Sequence, residues 1–410
     1  VEIWGAPVFG GAETPYGCYG ARPSAKWQKG FSRLHSIRFA AHVARHELAR
    51  RGLSAASFDH AVLGFTVPQW RSFWGAPWAM QLIGNAAVPG QTVVQACQTG
   101  PRCLATAARE VAAGEAECSL VITCDRTSDA PYLVYPAQGG PGGQPLGESY
   151  VFDNFNDDPV GRRPVLATAE AVARRWNIGR QEQDELVLRR YEQYADARRD
   201  GAAFHRRYMS LPFDVPDADF ARTTGRLDGD EGVTAIDAGR VRGLAPVAVG
   251  GTVTYAGQTH PADGNACIVV ASPERSREMS RDPRVRVRVL AFAQGRAEPG
   301  YMPYAPVIAA RKALRSCGLE PSQLKAIKSH NPFIVNDLVF ARETGLDPMR
   351  MNNFGCSLVF GHPQGSTGTR LVIELIEELA LQGGGIGLYH GCAAGDSGAA
   401  LVIEVGDRPA

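Results

Sequence analysis

Residues 42–53 read HVARHELARRGL, and residues 308–319 read IAARKALRSCGL. The Ala-Arg pair, the leucine and the Gly-Leu pair stand at the same spacing in both stretches. Glycine after a helix-period segment is typical of a helix C-terminus, where the backbone turns left-handed. The repeat therefore predicts two helices of equal length, ending at Gly52 and Gly318, each followed by a short loop and a strand.

A second pair of similar segments follows these two copies. Residues 97–123 and 361–388 both read as a glycine-rich turn, a helix, a glycine and a strand. Apolar runs rich in β-branched residues, such as 119–123 and 400–405, alternate with helix-period segments, which is typical of an α/β fold with buried strands. The sequence predicts two similar halves, each with a mixed sheet layered with helices.

The segment between the halves has a different composition. Residues from about 126 to 250 are richer in Asp, Arg, Pro and Gly, and they predict loops around two helices at about 166–177 and 181–200. We interpret this segment as an insertion over one face. The predicted domains are an N-terminal half (1–125 and 251–270), an inserted loop domain (126–250) and a C-terminal half (271–410).

Length and composition set limits on function. A chain of 410 residues supports two packed domains, and 44% hydrophobic residues, 21% charged residues and a net charge of +1 are ordinary for globular proteins. This balance predicts binding neither to nucleic acid nor to a membrane surface. No leader is evident in the opening Val-Glu-Ile-Trp-Gly and no long apolar span occurs, so we expect a cytoplasmic protein. The nine cysteines form no CxxC pair, which predicts reduced thiols.

Cys97 is the first candidate for chemistry. It stands between a predicted strand at 92–96 and a predicted helix from about 102 to 113, with Pro101 suited to the first helical position. The free N–H groups of a helix N-terminus stabilise a thiolate, so we expect a lowered thiol pKa and a nucleophilic cysteine. The alternative is a small buried thiol without a function, which is what most cysteines are.

His362 stands in a glycine-rich turn, 361–368, ahead of a predicted helix at about 370–382. The positive end of that helix disfavours an imidazolium, so His362 should be neutral and able to accept a proton from a thiol. The alternative is a histidine that only caps the helix or stabilises the turn.

Cys392 is the third candidate, and it lies between two strand-like runs. The small residues from Gly391 to Gly398 predict a tight turn whose backbone N–H groups could stabilise an enolate or a thioester oxyanion. The alternative is a turn cysteine without a role.

Together these segments resemble the thiolase family, and the resemblance covers nearly the whole chain. The segment Cys97-Gln98-Thr99-Gly100 resembles the family's nucleophile motif, and Gly361-His362-Pro363 matches its histidine motif. The segment Cys392-Ala393-Ala394-Gly395 is similar to the second-cysteine motif, with Ala394 where Gly is usual. Thr14-Pro15-Tyr16-Gly17 resembles the opening turn. Thr259 falls near the serine of the family's channel for the pantetheine of coenzyme A (CoA).

The resemblance implies a thiolase-like fold layered α/β/α/β/α, with the inserted loop domain over the active site. It also implies that His362 deprotonates Cys97, that Cys97 carries the acyl group of a CoA thioester, and that Cys392 moves the second proton. CoA thioesters are then substrates, and neither a cofactor nor a metal is expected. The family forms dimers or tetramers, so a homodimer or homotetramer is the expectation.

Further site residues follow from the same resemblance. His330-Asn331-Pro332-Phe333 stands where the family commonly has Asn-Glu-Ala-Phe, and a His-Asp-Cys-Phe variant exists. His330 and His362, with a water, would form one oxyanion hole, and the N–H groups of Cys97 and Ala394 a second. Thr259 and Gly361 are the expected contacts to CoA.

Other functions compete with this interpretation. Cys97, Cys392 and His362 are legitimate zinc ligands and could form a metal site. A catalytically quiet relative would bind acyl-CoA or lipid, but it would need none of the three. A condensing enzyme or acyltransferase of secondary metabolism would use a non-CoA acceptor. The aromatic stretch 70–78 could shape an acyl pocket, although an interface or core is the commoner place for tryptophans.

Overall fold

The computed structural model describes residues 9, 11–137, 139 and 142–408. The strands are β1 Tyr19–Ala21, β2 Ala25–Lys26, β3 His60–Gly64, β4 Gly90–Val93, β5 Cys118–Arg126, β6 Tyr132–Tyr135, β7 Leu146–Ser149, β8 Phe213–Pro216, β9 Thr223–Leu227, β10 Ala262–Ala271, β11 Val285–Arg296, β12 Leu324–His330, β13 Gly385–Ala393 and β14 Ser397–Asp407. The helices are α1 Ser36–Arg50, α2 Gly75–Ile83, α3 Thr99–Ala112, α4 Phe152–Asn156, α5 Val165–Arg175, α6 Arg180–Ala202, α7 Ala238–Gly243, α8 Pro273–Met279, α9 Ala305–Ser316, α10 Ile334–Thr344, α11 Ser357–Phe360 and α12 Gly365–Leu381.

The repeated stretches form the same local structure twice. Gly52 follows α1 with φ +68°, and Gly318 follows α9 with φ +66°. The N–H of Leu53 donates to the Leu48 carbonyl at 2.9 Å, and the N–H of Leu319 donates to the Leu314 carbonyl at 3.0 Å. This is the hydrogen bond of a glycine-capped helix end. Short 3₁₀ turns then lead into β3 and β12, so the predicted pair of helix, glycine cap and strand is confirmed. The predicted equal length is wrong, since α1 has 15 residues and α9 has 12.

Two mixed sheets carry the two halves. The first has the order β1-β10-β5-β3-β4, with β2 also paired to β10. The second has the order β11-β14-β13-β12. In each sheet, the strand that follows the glycine-capped helix pairs in parallel with the strand of the second repeated segment. These pairs are β3 with β5 and β12 with β13. The α/β class predicted from alternating strand and helix patterns is confirmed.

Helices α3 and α12 lie in the layer between the two sheets. They contact each other, and α12 contacts β10 and β5 of the first sheet and β12 and β13 of the second. Helices α1 and α2 cover the far side of the first sheet, and α9 covers the second. A Cβ on Gly100 would come within 2.6 Å of the Thr369 backbone nitrogen, so only glycine permits this approach of α3 to α12. The N-termini of both central helices therefore meet.

The segment between β5 and β10 folds over the core. Its two long helices, α5 and α6, are close to the predicted bounds of 166–177 and 181–200, and α6 is interrupted by non-helical backbone at residues 199–201. Buried ion pairs join the segment to the C-terminal half: Arg190 with Asp337 at 2.9 Å and Asp230 with Arg370 at 2.6 Å. The predicted domain boundaries stay a prediction.

Three local expectations were wrong. Helix α3 begins at Thr99 and not at about 102, so Pro101 is its third residue. Strand β4 ends at Val93, before the predicted strand end at 96. Cys392 lies inside β13, paired with Gly398, and the turn begins only after Ala393, because the ladder with β14 extends further than the small residues indicate.

The structure addresses only part of the expectations about a leader segment and membrane binding. Residues 1–5, on which the absence of a leader was argued, lie outside the described part of the chain. Among the helices of the described residues, none is long and apolar enough to cross a membrane.

Candidate active site

Cys97 lies in the connection between β4 and α3, one residue before the helix cap. The preceding residue, Ala96, has φ +43°, a conformation that costs energy for a residue with a Cβ. The Thr99 hydroxyl stabilises this turn, since it donates to the Ala96 carbonyl at 2.7 Å and accepts from the Gln95 N–H at 2.8 Å. Cys97 is partly exposed as a residue, and the turn holds its side chain in one orientation at the start of α3.

A cavity of about 300 Å³ brings the predicted residues of both halves together. Cys97 from the first half and His362, Cys392 and Ala394 from the second all line it. Side chains of the inserted segment complete the wall, among them Phe155. The three catalytic candidates therefore line one cavity.

His330 and His362 are stacked beside Cys97. Their ring centroids are 4.1 Å apart at an interplanar angle of 26°. One ligand-type atom from each of Cys97, His330 and His362 lies within 4.8 Å of the other two. Among the described residues, Cys97, His330 and His362 are the set of His, Cys, Asp or Glu side chains that lie close enough together to hold a metal ion. It differs from the set with Cys392 that the sequence indicated.

Each histidine is oriented by one hydroxyl group. His330 Nδ1 lies 3.0 Å from Ser357 Oγ, and His362 Nδ1 lies 2.7 Å from Thr367 Oγ1. The Nε2 atoms of both rings are buried and have no hydrogen-bond partner among the described residues. Nε2 is therefore the nitrogen of each ring that remains available for chemistry.

Burial sets the protonation of the pair. It lowers the pKa of His362 to about 3, so this imidazole is neutral as predicted, with loss of solvent as the cause. Burial also raises the pKa of the Cys97 thiol to about 12, against the smaller opposite effect of hydrogen bonds from the Cys97 and Ala394 N–H groups. The predicted lowering of the Cys97 pKa is wrong. Cys97 rests as a thiol that needs a base.

Two backbone N–H groups near the Cys97 sulfur favour its thiolate form. They belong to Cys97 itself and to Ala394, the pair expected to form the second oxyanion hole. Donors that favour a thiolate also favour an oxyanion formed on a carbonyl bound to that sulfur. The geometry is therefore compatible with the expected role of both groups.

Cys392 is buried, and its backbone is hydrogen-bonded to Gln98, the residue after Cys97. Asn336 Nδ2 donates to the Cys392 sulfur at 3.2 Å. Gln98 Nε2 donates to the Cys392 carbonyl at 2.9 Å, and Gln98 Oε1 accepts from the Tyr389 hydroxyl at 3.0 Å. Sequence reasoning missed Asn336 and Gln98. Gln98 could have been found from its place directly after the nucleophile.

Asp125 was also missed, and it fixes the N-terminus of α12. Its buried carboxylate accepts from the Gly365 N–H at 2.7 Å and from the Thr66 and Val67 N–H groups at 2.9 and 2.8 Å. Burial raises the pKa of Asp125 to about 7. Because Asp125 ends the buried run of β5, its carboxylate links the first sheet to the turn that carries His362.

The structure places Thr259 and Gly361 away from the cavity wall. The Thr259 hydroxyl donates to the Ser357 carbonyl at 2.5 Å, so it supports the start of α11, whose Ser357 hydroxyl contacts His330. Gly361 has φ +90°, and a Cβ there would meet His260 Nε2 at 2.7 Å. Both residues have structural roles, and their contact with CoA stays a prediction.

Comparisons with known proteins agree with this geometry. The chain matches the family descriptions "Thiolase, N-terminal domain" over residues 20–274 and "Thiolase, C-terminal domain" over residues 283–405. It is 27% identical to the acetyl-CoA acetyltransferase of Syntrophomonas wolfei, across 97% of this chain and 98% of that protein.

Solved structures share the fold. Human mitochondrial 3-ketoacyl-CoA thiolase superposes with a TM-score of 0.87 at 22% identity, covering 97% of this chain and 100% of that one. The same enzyme in complex with CoA gives a TM-score of 0.85 at 23% identity, covering 96% and 98%. The predicted thiolase-like fold is confirmed, and the two family matches together span most of the sequence. The chain belongs to the thiolase family.

Proposed function

We propose that the protein is a CoA-dependent acyltransferase that forms an acyl-enzyme on Cys97. The observation that carries this proposal is the convergence of Cys97, His362 and Cys392, from opposite halves of the chain, on one cavity. A nucleophile and two proton-handling groups are what a two-stage acyl transfer needs.

In the first stage, His362 Nε2 accepts the thiol proton while the Cys97 sulfur attacks the carbonyl carbon of an acyl-CoA. The new carbon–sulfur bond forms, and the bond to the CoA sulfur breaks. A pKa of about 3 makes His362 a weak base, but its conjugate acid readily returns the proton to the leaving CoA thiolate. The N–H groups of Cys97 and Ala394 stabilise the oxyanion of the tetrahedral intermediate, which forms after the attack and before the CoA thiolate leaves.

In the second stage, Cys392 handles a proton on carbon. In condensation it removes the α-proton of a second acyl-CoA, and in cleavage of a 3-ketoacyl-CoA it protonates the departing enolate. In the expected oxyanion hole, a water that donates one hydrogen to the Nε2 lone pair of His330 or His362 donates the other to the enolate oxygen. Asn336 supports this role because its amide donates to the Cys392 sulfur at 3.2 Å and so favours the thiolate.

The proposal includes a homo-oligomer, a homodimer or homotetramer. Among the described strands, β4 pairs only with β3, so one edge of the first sheet is open. Trp70, Phe73 and Trp74 nearby along the chain are 73%, 91% and 63% exposed. An open edge beside exposed aromatic side chains favours association with another copy. Light scattering coupled to size-exclusion chromatography measures the state directly.

The test of the acyl-enzyme is mass spectrometry with acyl-CoAs of graded length. We expect a single adduct of the acyl mass on the intact protein, located by peptide mapping to Cys97 and absent in Cys97→Ala. Absence of an adduct with every donor, or an adduct at another thiol, would contradict the proposal.

A further inference from the structure

We infer that Cys97, His330 and His362 form a binding site for a thiophilic divalent cation such as Zn²⁺, and that occupation of this site blocks acyl transfer. The metal is an inhibitor in this scheme and not a resident cofactor. Binding is measured without substrate and is independent of the proposed function, whereas the block of acyl transfer rests on that function.

The ligand set suits zinc. One sulfur and two imidazole nitrogens are borderline-soft donors that Zn²⁺ prefers, at about 2.0–2.3 Å each. Ligand atoms around a tetrahedral ion are then about 3.5 Å apart. The three atoms here already lie within 4.8 Å of one another, so rotations of the stacked histidine rings that move their nitrogens by about 1 Å complete the site.

The surroundings of the histidines are already those of metal ligands. Each Nδ1 is held by a hydroxyl, Ser357 for His330 and Thr367 for His362, which fixes the ring as the outer hydrogen bond of a metal-bound histidine does, although that partner is more often a carboxylate, carbonyl or water. Both Nε2 atoms are unpartnered among the described residues, and the two side chains are 0% and 5% exposed. A buried nitrogen without a partner costs free energy that a bound cation recovers.

Binding is a ligand substitution without oxidation or reduction. The S–H bond of Cys97 breaks, the proton leaves to solvent, and the sulfur bonds to the ion. His330 and His362 each donate a lone pair, and a water from the cavity completes the coordination. Since the sulfur and the His362 lone pair are the nucleophile and the base of the proposed reaction, the ion and the acyl transfer exclude each other.

The first measurement is anaerobic titration with Zn²⁺ against a chromophoric chelator. We expect one tight site in the unaltered protein, at least a hundredfold weaker binding in Cys97→Ala, and at least tenfold weaker binding in His330→Asn, because an amide is a poor zinc ligand. With Co²⁺ as the probe, a sulfur-to-cobalt charge-transfer band should appear and be lost in Cys97→Ala.

The chain offers its own control. His42 and His46 stand one turn apart on α1 with ring centroids at 4.4 Å, so they could chelate a metal at the surface. His46→Ala should leave the tight site unchanged and serves as the background for the other variants, with thermal melting to confirm folding. Equal affinity of Cys97→Ala or His330→Asn and the unaltered protein would overturn the inference.

Inhibition completes the test. Zn²⁺ should abolish acylation at one equivalent, and a chelator should restore it. Binding without any acylation would count against the proposed function alone, whereas acylation without tight binding would count against this inference alone.

Discussion

Cys97 and His362 are both uncharged at rest, since burial raises the pKa of the thiol to about 12 and lowers that of the imidazole to about 3. The pair is a thiol beside an imidazole and not a thiolate beside an imidazolium. Their place at helix N-termini was predictable from glycines and strand patterns. The pKa of Cys97 was not, because burial depends on the opposite half and the inserted segment.

This resting state predicts how Cys97 reacts with iodoacetamide. Because the thiolate is the reactive form and its fraction rises tenfold per pH unit below the pKa, alkylation should become about tenfold faster for each unit between pH 7 and 9. Peptide mass spectrometry measures the rate, with the partly exposed Cys317 as an internal comparison. A rate that does not change with pH would indicate an ion pair instead.

Cys392→Ser should separate the two stages. Serine keeps the size but not the acidity of the thiol, so proton transfer at carbon should fall by about 10²–10⁴ while acylation of Cys97 continues. The measurement is rapid-quench release of CoA, which should show one equivalent per active site and then nearly stop. Loss of this first equivalent would mean that Cys392 is required for acylation too.

Helix and strand positions were largely predictable, and their exact ends were not. The glycine caps at Gly52 and Gly318 follow from local conformation alone. The extension of β13 through Cys392 depends on its pairing with Gly398 in β14, which no local pattern reveals. Small residues indicate a turn, but hydrogen bonds to a neighbouring strand extend the element.

The contact between α3 and α12 is testable through Gly100. Its replacement by alanine would place a Cβ within 2.6 Å of the Thr369 backbone, and such overpacking costs about 1–3 kcal/mol. Gly100→Ala should therefore lower the urea midpoint of unfolding. Gly406→Ala is the matched control, since a Cβ there meets nothing within 4 Å. Equal midpoints for the two variants would show that the helices separate without cost.

At the scale of the whole molecule, buried ion pairs join the inserted segment to the C-terminal half, and the sequence did not predict them. No sequence pattern marks Arg190 as buried, yet its side chain is fully buried and pairs with Asp337 of the C-terminal half. Asp337 also accepts from Asn331, the neighbour of His330. Pairing between segments distant along the chain is invisible to local composition, so the sequence alone could not predict this contact.

Removing Arg190 should destabilise the joined structure. Arg190→Met leaves the Asp337 carboxylate buried without its partner, at a cost of about 3–5 kcal/mol. Thermal and urea unfolding measure the loss. The double variant Arg190→Met with Asp337→Asn should recover part of it, because no charge then remains buried. No recovery would mean that packing of the arginine side chain, and not charge, stabilises this contact.

Cys392 lies in a strand that is hydrogen-bonded on both sides, to β12 and to β14. A group held in this way cannot travel toward different substrates. The ligands must therefore exchange at a stationary centre, and the first CoA has to depart before the second thioester can occupy its place. With the proposed acyl-enzyme on Cys97, this order gives parallel lines in double-reciprocal plots, the signature of a ping-pong mechanism.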